Sequence, residues 1–162
     1  MAQTRIPAAR LQEALEGAAS GRYPFWFPQE AKGLDMDYFA YGADWEPLGA
    51  SATTTRTIQI NQDSAFMILS ATLVETDTNN TTFFAGRPLL ATIGTGGAAL
   101  DLANTALHVD NWFGTAEDPK YWDVPKLLLP GTAFKIGLQN LEAVARNVRV
   151  AFHGFKLFRR SR

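Results

Sequence analysis

Cysteine is absent from this chain of 162 residues, and histidine occurs only twice. The lack of cysteine excludes thiol catalysis, thiolate metal sites and disulfide bonds. The formal net charge is −1, so no strong field draws the protein to nucleic acid or to anionic lipid. We therefore expect neither nucleic acid nor a membrane among its partners.

Long apolar runs are also missing, and the longest aliphatic run is Leu127–Leu129. No stretch has the length of a membrane span, and the first residues, MAQTRIPAARLQEALE, contain no apolar core of signal-peptide length. We expect synthesis in a cytoplasm without an export signal. With 46% hydrophobic residues, the chain can bury a core without metals or disulfides.

Residues 1–49 differ in character from the rest and are predicted to form an N-terminal arm. Pro7 and the following AARLQEALEGAAS predict a short helix with a narrow apolar stripe. Residues 22–49 combine prolines and glycines with large aromatic side chains, so regular structure is not expected there. The aromatic side chains of this stretch are Tyr23, Phe25, Trp26, Phe27, Tyr38, Phe39, Tyr41 and Trp45. They could wrap their own domain or bind a partner.

Residues 50–162 show a β pattern throughout. Strands are predicted from alternating or continuous apolar residues, separated by polar or glycine-rich turns. Pro88 places its strand at an edge or breaks it. The predicted strands are Thr53–Ile60, Ala65–Thr76, Thr82–Ile93, Ala98–Leu102, Ala106–Val109 and two long strands within Leu127–Phe158.

The last of these strands changes parity. Val148, Val150 and Phe152 share one face, but the apolar set then moves to Phe155 and Leu157. Gly154 lies at the change, which suggests a β-bulge that re-aims the strand. The whole pattern predicts an all-β protein, an antiparallel β-sandwich; a jelly roll fits it, as does an immunoglobulin-like fold, and the jelly roll is our prediction.

Groups for catalysis are sparse. His108 is close to Asp110, but two ligands do not make a metal site, and the carboxylate pairs Asp35/Asp37 and Glu117/Asp118 lie in loop sequence. We expect no enzyme activity, no metal and no cofactor. The segment from Asp110 to Lys126 is predicted to be a long loop. Its aromatic side chains could stack on sugars, anchor an interface or fold down as a lid. They are Trp112, Phe113, Tyr121 and Trp122.

Several motifs in order carry a resemblance over roughly residues 53–158. They are Gly86-Arg87-Pro88-Leu89-Leu90, a Gly-Thr-Gly-Gly turn, Val109–Thr115, Pro125–Gly131 and the ending Asn147–Phe158. This set resembles small virion proteins encoded near the capsid genes of tailed bacteriophages, among them β-sandwich cement (decoration) proteins that bind the outside of the head.

The resemblance implies a virion structural protein without catalytic residues. Its partners would be the major capsid protein and further copies of itself, as a dimer or trimer. It would be made in the host cytoplasm and end on the capsid exterior. The alternatives are a carbohydrate-binding module on a phage fibre, with Trp112 and Trp122 as platforms, and a head–tail or tail component.

Overall fold

The computed structural model describes residues 34–84, 86–95, 102–103 and 105–158, together with Glu16. The described residues after Glu16 form strands and the 3₁₀ turn Val109–Asn111. The strands, numbered in chain order, are β1 (Asp35–Leu48), β2 (Thr53–Gln59), β3 (Ala65–Thr76), β4 (Leu89–Thr95), β5 (Leu107–His108), β6 (Lys120–Leu128), β7 (Ala133–Asn140) and β8 (Arg146–Phe158).

The strands form two antiparallel four-stranded sheets, and the predicted β-sandwich is confirmed. Sheet A has the order β1-β8-β3-β6, and sheet B has the order β2-β7-β4-β5. Apart from β4 to β5, each consecutive pair of strands crosses from one sheet to the other. This alternation, with the last strand inserted beside the first, is the eight-stranded jelly-roll arrangement.

The inner faces of the two sheets enclose the main hydrophobic core. Sheet A contributes alternate residues such as Val148, Val150 and Phe152, and sheet B contributes Phe134 and Ile136. The Phe134 and Phe152 rings meet edge to face, with their centroids 4.9 Å apart. Because side chains alternate along a strand, each strand needs an apolar residue only at every second position to build this layer.

Strand β8 shows why the apolar parity changes at Gly154. Its pairing with β1 runs without a shift from Val148 to Phe158, so β8 is not bulged. The irregularity lies in β3, where Ile68 faces Gly154 and Ser70 faces His153, leaving Leu69 as the extra residue. The prediction of a bulge that re-aims β8 is therefore wrong. Phe155 and Leu157 instead belong to a second cluster on the opposite face of sheet A.

Two stretches predicted to lack regular structure form strands. Asp35–Leu48, from the expected arm, is β1 at the edge of sheet A, and Trp45 is buried with 1% of its surface exposed. Lys120–Leu128, from the expected long loop, is β6 at the other edge. In both stretches proline, glycine and charged residues interrupt the alternation of apolar and polar side chains. Edge strands tolerate such residues.

Other predicted boundaries shift less. The strand predicted for Thr82–Ile93 begins only at Leu89, after Pro88. Before it, Phe83 forms an isolated bridge with Thr76 of β3. The strand predicted for Ala106–Val109 is reduced to Leu107–His108. The predicted N-terminal helix and most of Ala98–Leu102 lie outside the described residues.

Candidate functional site

The outer face of sheet A, which points away from sheet B, carries a group of hydrophobic side chains. Its hydrophobic residues form what we call the outer cluster. Met67 is 0% exposed and Leu157 is 2% exposed, although both belong to this face. The members are Met67, Leu69, Phe155 and Leu157, with Leu34, Met36, Ala65 and Leu127 packed against them. Sheet A is therefore hydrophobic on both sides at this end.

Next to the outer cluster lies a polar centre built around His153. Tyr38 Oη and His153 Nδ1 share a hydrogen bond of 3.0 Å, and Thr72 Oγ1 and His153 Nε2 share one of 3.2 Å. Burial lowers the pKa of His153, because the charged ring loses hydration. Burial, and then the neighbouring Tyr121, raises the pKa of Tyr38. At neutral pH this centre is therefore uncharged.

His153 makes stability depend on pH. The unfolded histidine has a pKa of about 6.5, and burial lowers it in the folded state. As pH falls below about 6.5, the unfolded chain binds a proton that the folded chain does not, so stability falls. We expect His153→Gln to flatten this decline in urea unfolding between about pH 7.5 and 5. The exposed His108→Gln should keep the decline, and equal curves for both variants would contradict the account.

The aromatic residues predicted to bind a partner have different locations. Trp45 and Phe113 are buried in the core and cannot bind a partner in the folded protein. Tyr41 packs against the core and meets the Phe66 ring edge to face at 4.8 Å. Phe39 lies beside Tyr41 under the Lys156 ammonium, and Tyr38 is 60% exposed.

Four others, Tyr23, Phe25, Trp26 and Phe27, lie outside the described residues.

The two tryptophans of the predicted aromatic loop lie together beside a shallow depression. Their rings meet at 62°, with centroids 6.1 Å apart, and Trp122 donates a hydrogen bond of 3.2 Å to the Trp112 carbonyl oxygen. Both pack against the core, and Trp122 also meets the core ring of Phe152. The depression has a volume of about 310 Å³, and its polar lining includes Asn111, Lys120, Tyr121, Asp123 and Lys126.

A third surface, which we call the apolar end, was not predicted. Phe83 is 74% exposed, and Leu141 and Val144 are also exposed. All three lie where β3 and β7 end and where β4 and β8 begin, as the pairing of Leu89 with Asn140 shows. Leu141 and Val144 belong to a connection that the sequence predicts only as a polar turn. Two aliphatic residues in such a turn are a signal that sequence reasoning could have used.

The loop that carries Phe83 is ordered by Asp77. Its carboxylate accepts hydrogen bonds from the Thr81 hydroxyl at 2.6 Å and from the backbone N–H groups of Thr81 and Thr82 at 2.7 and 3.1 Å. These bonds, that of the Thr81 hydroxyl first, lower the pKa of Asp77. The Phe83 ring is thus presented from a fixed turn, which reduces the entropy that binding would cost.

Beneath the apolar end lies a buried ion-pair network. Arg146, 2% exposed, pairs with the buried Glu75 of β3 and with the half-exposed Glu142. The Phe84 ring covers the Arg146 guanidinium at 4.8 Å. Burial lowers the pKa of Arg146, yet arginine remains charged in proteins. The network ties β3, β8 and the β7–β8 connection together and makes this end a rigid support.

Comparison with known proteins adds no family, because no protein-family model and no curated protein matches the chain. In the part of the chain that the structure describes, no three histidine, aspartate or glutamate residues are grouped as a metal site would require. The same part contains no helix with the length and apolar character of a membrane span.

Proposed function

We propose that this protein is a non-enzymatic capsid cement (decoration) protein of a tailed bacteriophage, located on the outside of the head. The observation that carries the proposal is the apolar end, where Phe83, Leu141 and Val144 are all exposed at one end of the sandwich, close to the strand ends that the buried Arg146–Glu75 pair joins. The jelly roll supports it by analogy alone, since viral capsid domains and lectins both use this architecture.

The proposed partner is the major capsid protein. Aromatic and aliphatic side chains that bury fully at an interface supply much of the binding energy. A shell repeats the same binding site many times, so modest contacts that bridge neighbouring subunits hold strongly together. Because β1 is part of sheet A, only residues 1–33 of the predicted arm remain as a segment that could reach a neighbouring subunit.

Rebinding to stripped heads tests this function. We expect the triple variant Phe83→Ser/Leu141→Ser/Val144→Ser to bind heads about 100-fold more weakly than the wild-type protein, since three lost anchors at about 1 kcal/mol each amount to roughly that factor. Val124→Ser is the matched control, because Val124 is as exposed but lies on β6, away from the apolar end. Wild-type protein should also raise the thermal resistance of the heads. Equal binding by the triple variant and the control would contradict the proposed surface.

Self-association is part of the proposal. The exposed apolar residues favour a homo-oligomer, and closed dimers are the commonest form, with a trimer as the alternative on a three-fold position. Light scattering coupled to size exclusion measures the free state. A monomer in solution together with isolated copies on the particle would contradict this part.

A carbohydrate-binding module on a fibre is the second candidate, favoured by the depression beside Trp112 and Trp122. Its polar lining could accept sugar hydroxyls, but the two rings pack edge-on to each other and to the core rather than presenting open faces. Selective binding on a glycan array that Asp123→Ala abolishes, without binding to heads, would favour this candidate. A head–tail or tail component remains a third alternative, which the location of the protein on the particle would reveal.

A further inference from the structure

The outer cluster is buried on a face that the sandwich itself does not cover. Sheet B lies on the opposite side of sheet A, so its strands cannot shield Met67 or Leu157. Among the described residues, the hydrophobic ones that pack around the cluster belong to sheet A or directly precede it. A side chain as deeply buried as Met67, at 0% exposure, nevertheless needs a cover that sheet B does not supply.

The path of the chain leads to this cluster. Leu34, which directly precedes β1, is itself packed against the cluster. Phe27 precedes Leu34 by seven positions in the sequence. An extended link of this length spans about 25 Å at most, enough to bring the preceding residues back over the cluster.

A groove adjoins the cluster. It has a volume of about 580 Å³, and Leu34, Leu127 and Leu157 belong both to its lining and to the cluster. Leu129, 64% exposed, and Pro130 extend its apolar wall. A segment that supplies several large rings at short spacing matches such a face, because each ring buries a large apolar area.

We propose that the outer cluster and this groove are the docking site for residues 23–27 of the same chain, Tyr23-Pro24-Phe25-Trp26-Phe27. The proposal does not depend on the capsid function. The Tyr38–His153 centre lies next to the cluster on the same face, since the Tyr38 and Phe155 rings meet edge to face at 6.5 Å.

Methionine methyl resonances provide the test in the full-length chain. The chain has three methionines, Met1, Met36 and Met67, and no cysteine, so one introduced cysteine carries a spin label at a single position. We expect a label at Gln29→Cys to broaden the Met67 methyl signal. A label at Val144→Cys is the control, since the apolar end lies about 30 Å along β8 from the residue that pairs with Met67.

A second variant tests the rings themselves. Trp26→Ala should shift the Met67 signal, whereas Phe83→Ala should leave it unchanged. A mixture of spin-labelled, unenriched protein with isotope-enriched, unlabelled protein should show no broadening, because the contact is within one chain. The proposal is overturned if Gln29→Cys leaves Met67 sharp, if Trp26→Ala leaves its shift unchanged, or if broadening appears in the mixture, which would assign the segment to a second copy.

Discussion

Replacing Gly154 by alanine is expected to destabilise the protein by about 3 kcal/mol or more, the upper range for overpacking a core. Gly154 of β8 lies directly beside the bulge of its neighbouring strand β3, and the two backbones are very close there. A methyl group there would overlap the Met67 carbonyl oxygen and lie 2.8 Å from the Met67 carbonyl carbon and 3.1 Å from the Ile68 Cα. All three are backbone atoms of β3, so none of them can move without breaking the pairing of β3.

Gly42→Ala in β1 is the matched control. Its added methyl group would meet only the Val150 carbonyl oxygen at 3.5 Å, an ordinary contact. We expect the free energy of unfolding to change by no more than about 0.5 kcal/mol, as for most substitutions away from special positions. Chemical denaturation of both variants measures the difference. Similar stabilities for Gly42→Ala and Gly154→Ala would show that β8 and β3 are not as close as described.

Removing the Arg146 guanidinium should lower the free energy of unfolding by an amount similar to that expected for Gly154→Ala. Arg146→Met leaves the Glu75 carboxylate buried without its partner, and breaking one half of a buried pair costs about 3–5 kcal/mol. The double variant Glu75→Met/Arg146→Met removes both charges and should recover a large part of that loss.

The control for this experiment lies three residues along the same strand. Arg149 pairs with Glu46 on the protein surface, where water screens the interaction, so Arg149→Met should leave the unfolding midpoint almost unchanged. If the double variant is no more stable than Arg146→Met, the destabilisation does not come from the uncompensated Glu75 charge. A loss in Arg149→Met equal to that in Arg146→Met would also contradict the account.

The sequence predicted the strands whose patterns repeat with a period of two or are continuously apolar. Ala65–Thr76 was predicted with the observed bounds, and the two long strands at the end were recognised. The strand β1 was missed because aromatic rings occur at both parities. Tyr41 and Trp45 face the inner core while Tyr38 faces outward, so no single apolar stripe appears.

The surfaces were harder to predict than the strands. Glu75 and Arg146 are far apart in the sequence, and charged residues are normally expected on the surface, so their burial follows only from the pairing of β3 with β8. Likewise, the parity change after Phe152 predicts a β-bulge in β8 when the sequence alone is considered. Its cause, a hydrophobic cluster on the outside of sheet A, depends on which face each strand turns toward sheet B.

The apolar end could not be predicted from the sequence for a third reason. Phe83, Leu141 and Val144 belong to two connections that meet only because β3, β4, β7 and β8 end or begin together. The aromatic content of the sequence instead predicted partner-binding roles for Trp45 and Phe113, which are core residues. Large aromatic residues alone therefore could not separate the core from a binding surface in this chain.

An electron cryomicroscopy reconstruction of the phage particle that contains this protein tests the proposed function most directly. The account predicts sandwich-shaped densities repeated over the outer surface of the head, with the apolar end (Phe83, Leu141 and Val144) in contact with the major capsid protein. Density for the protein only at the tail or on a fibre, or a head contact that leaves all three side chains in solvent, would contradict it.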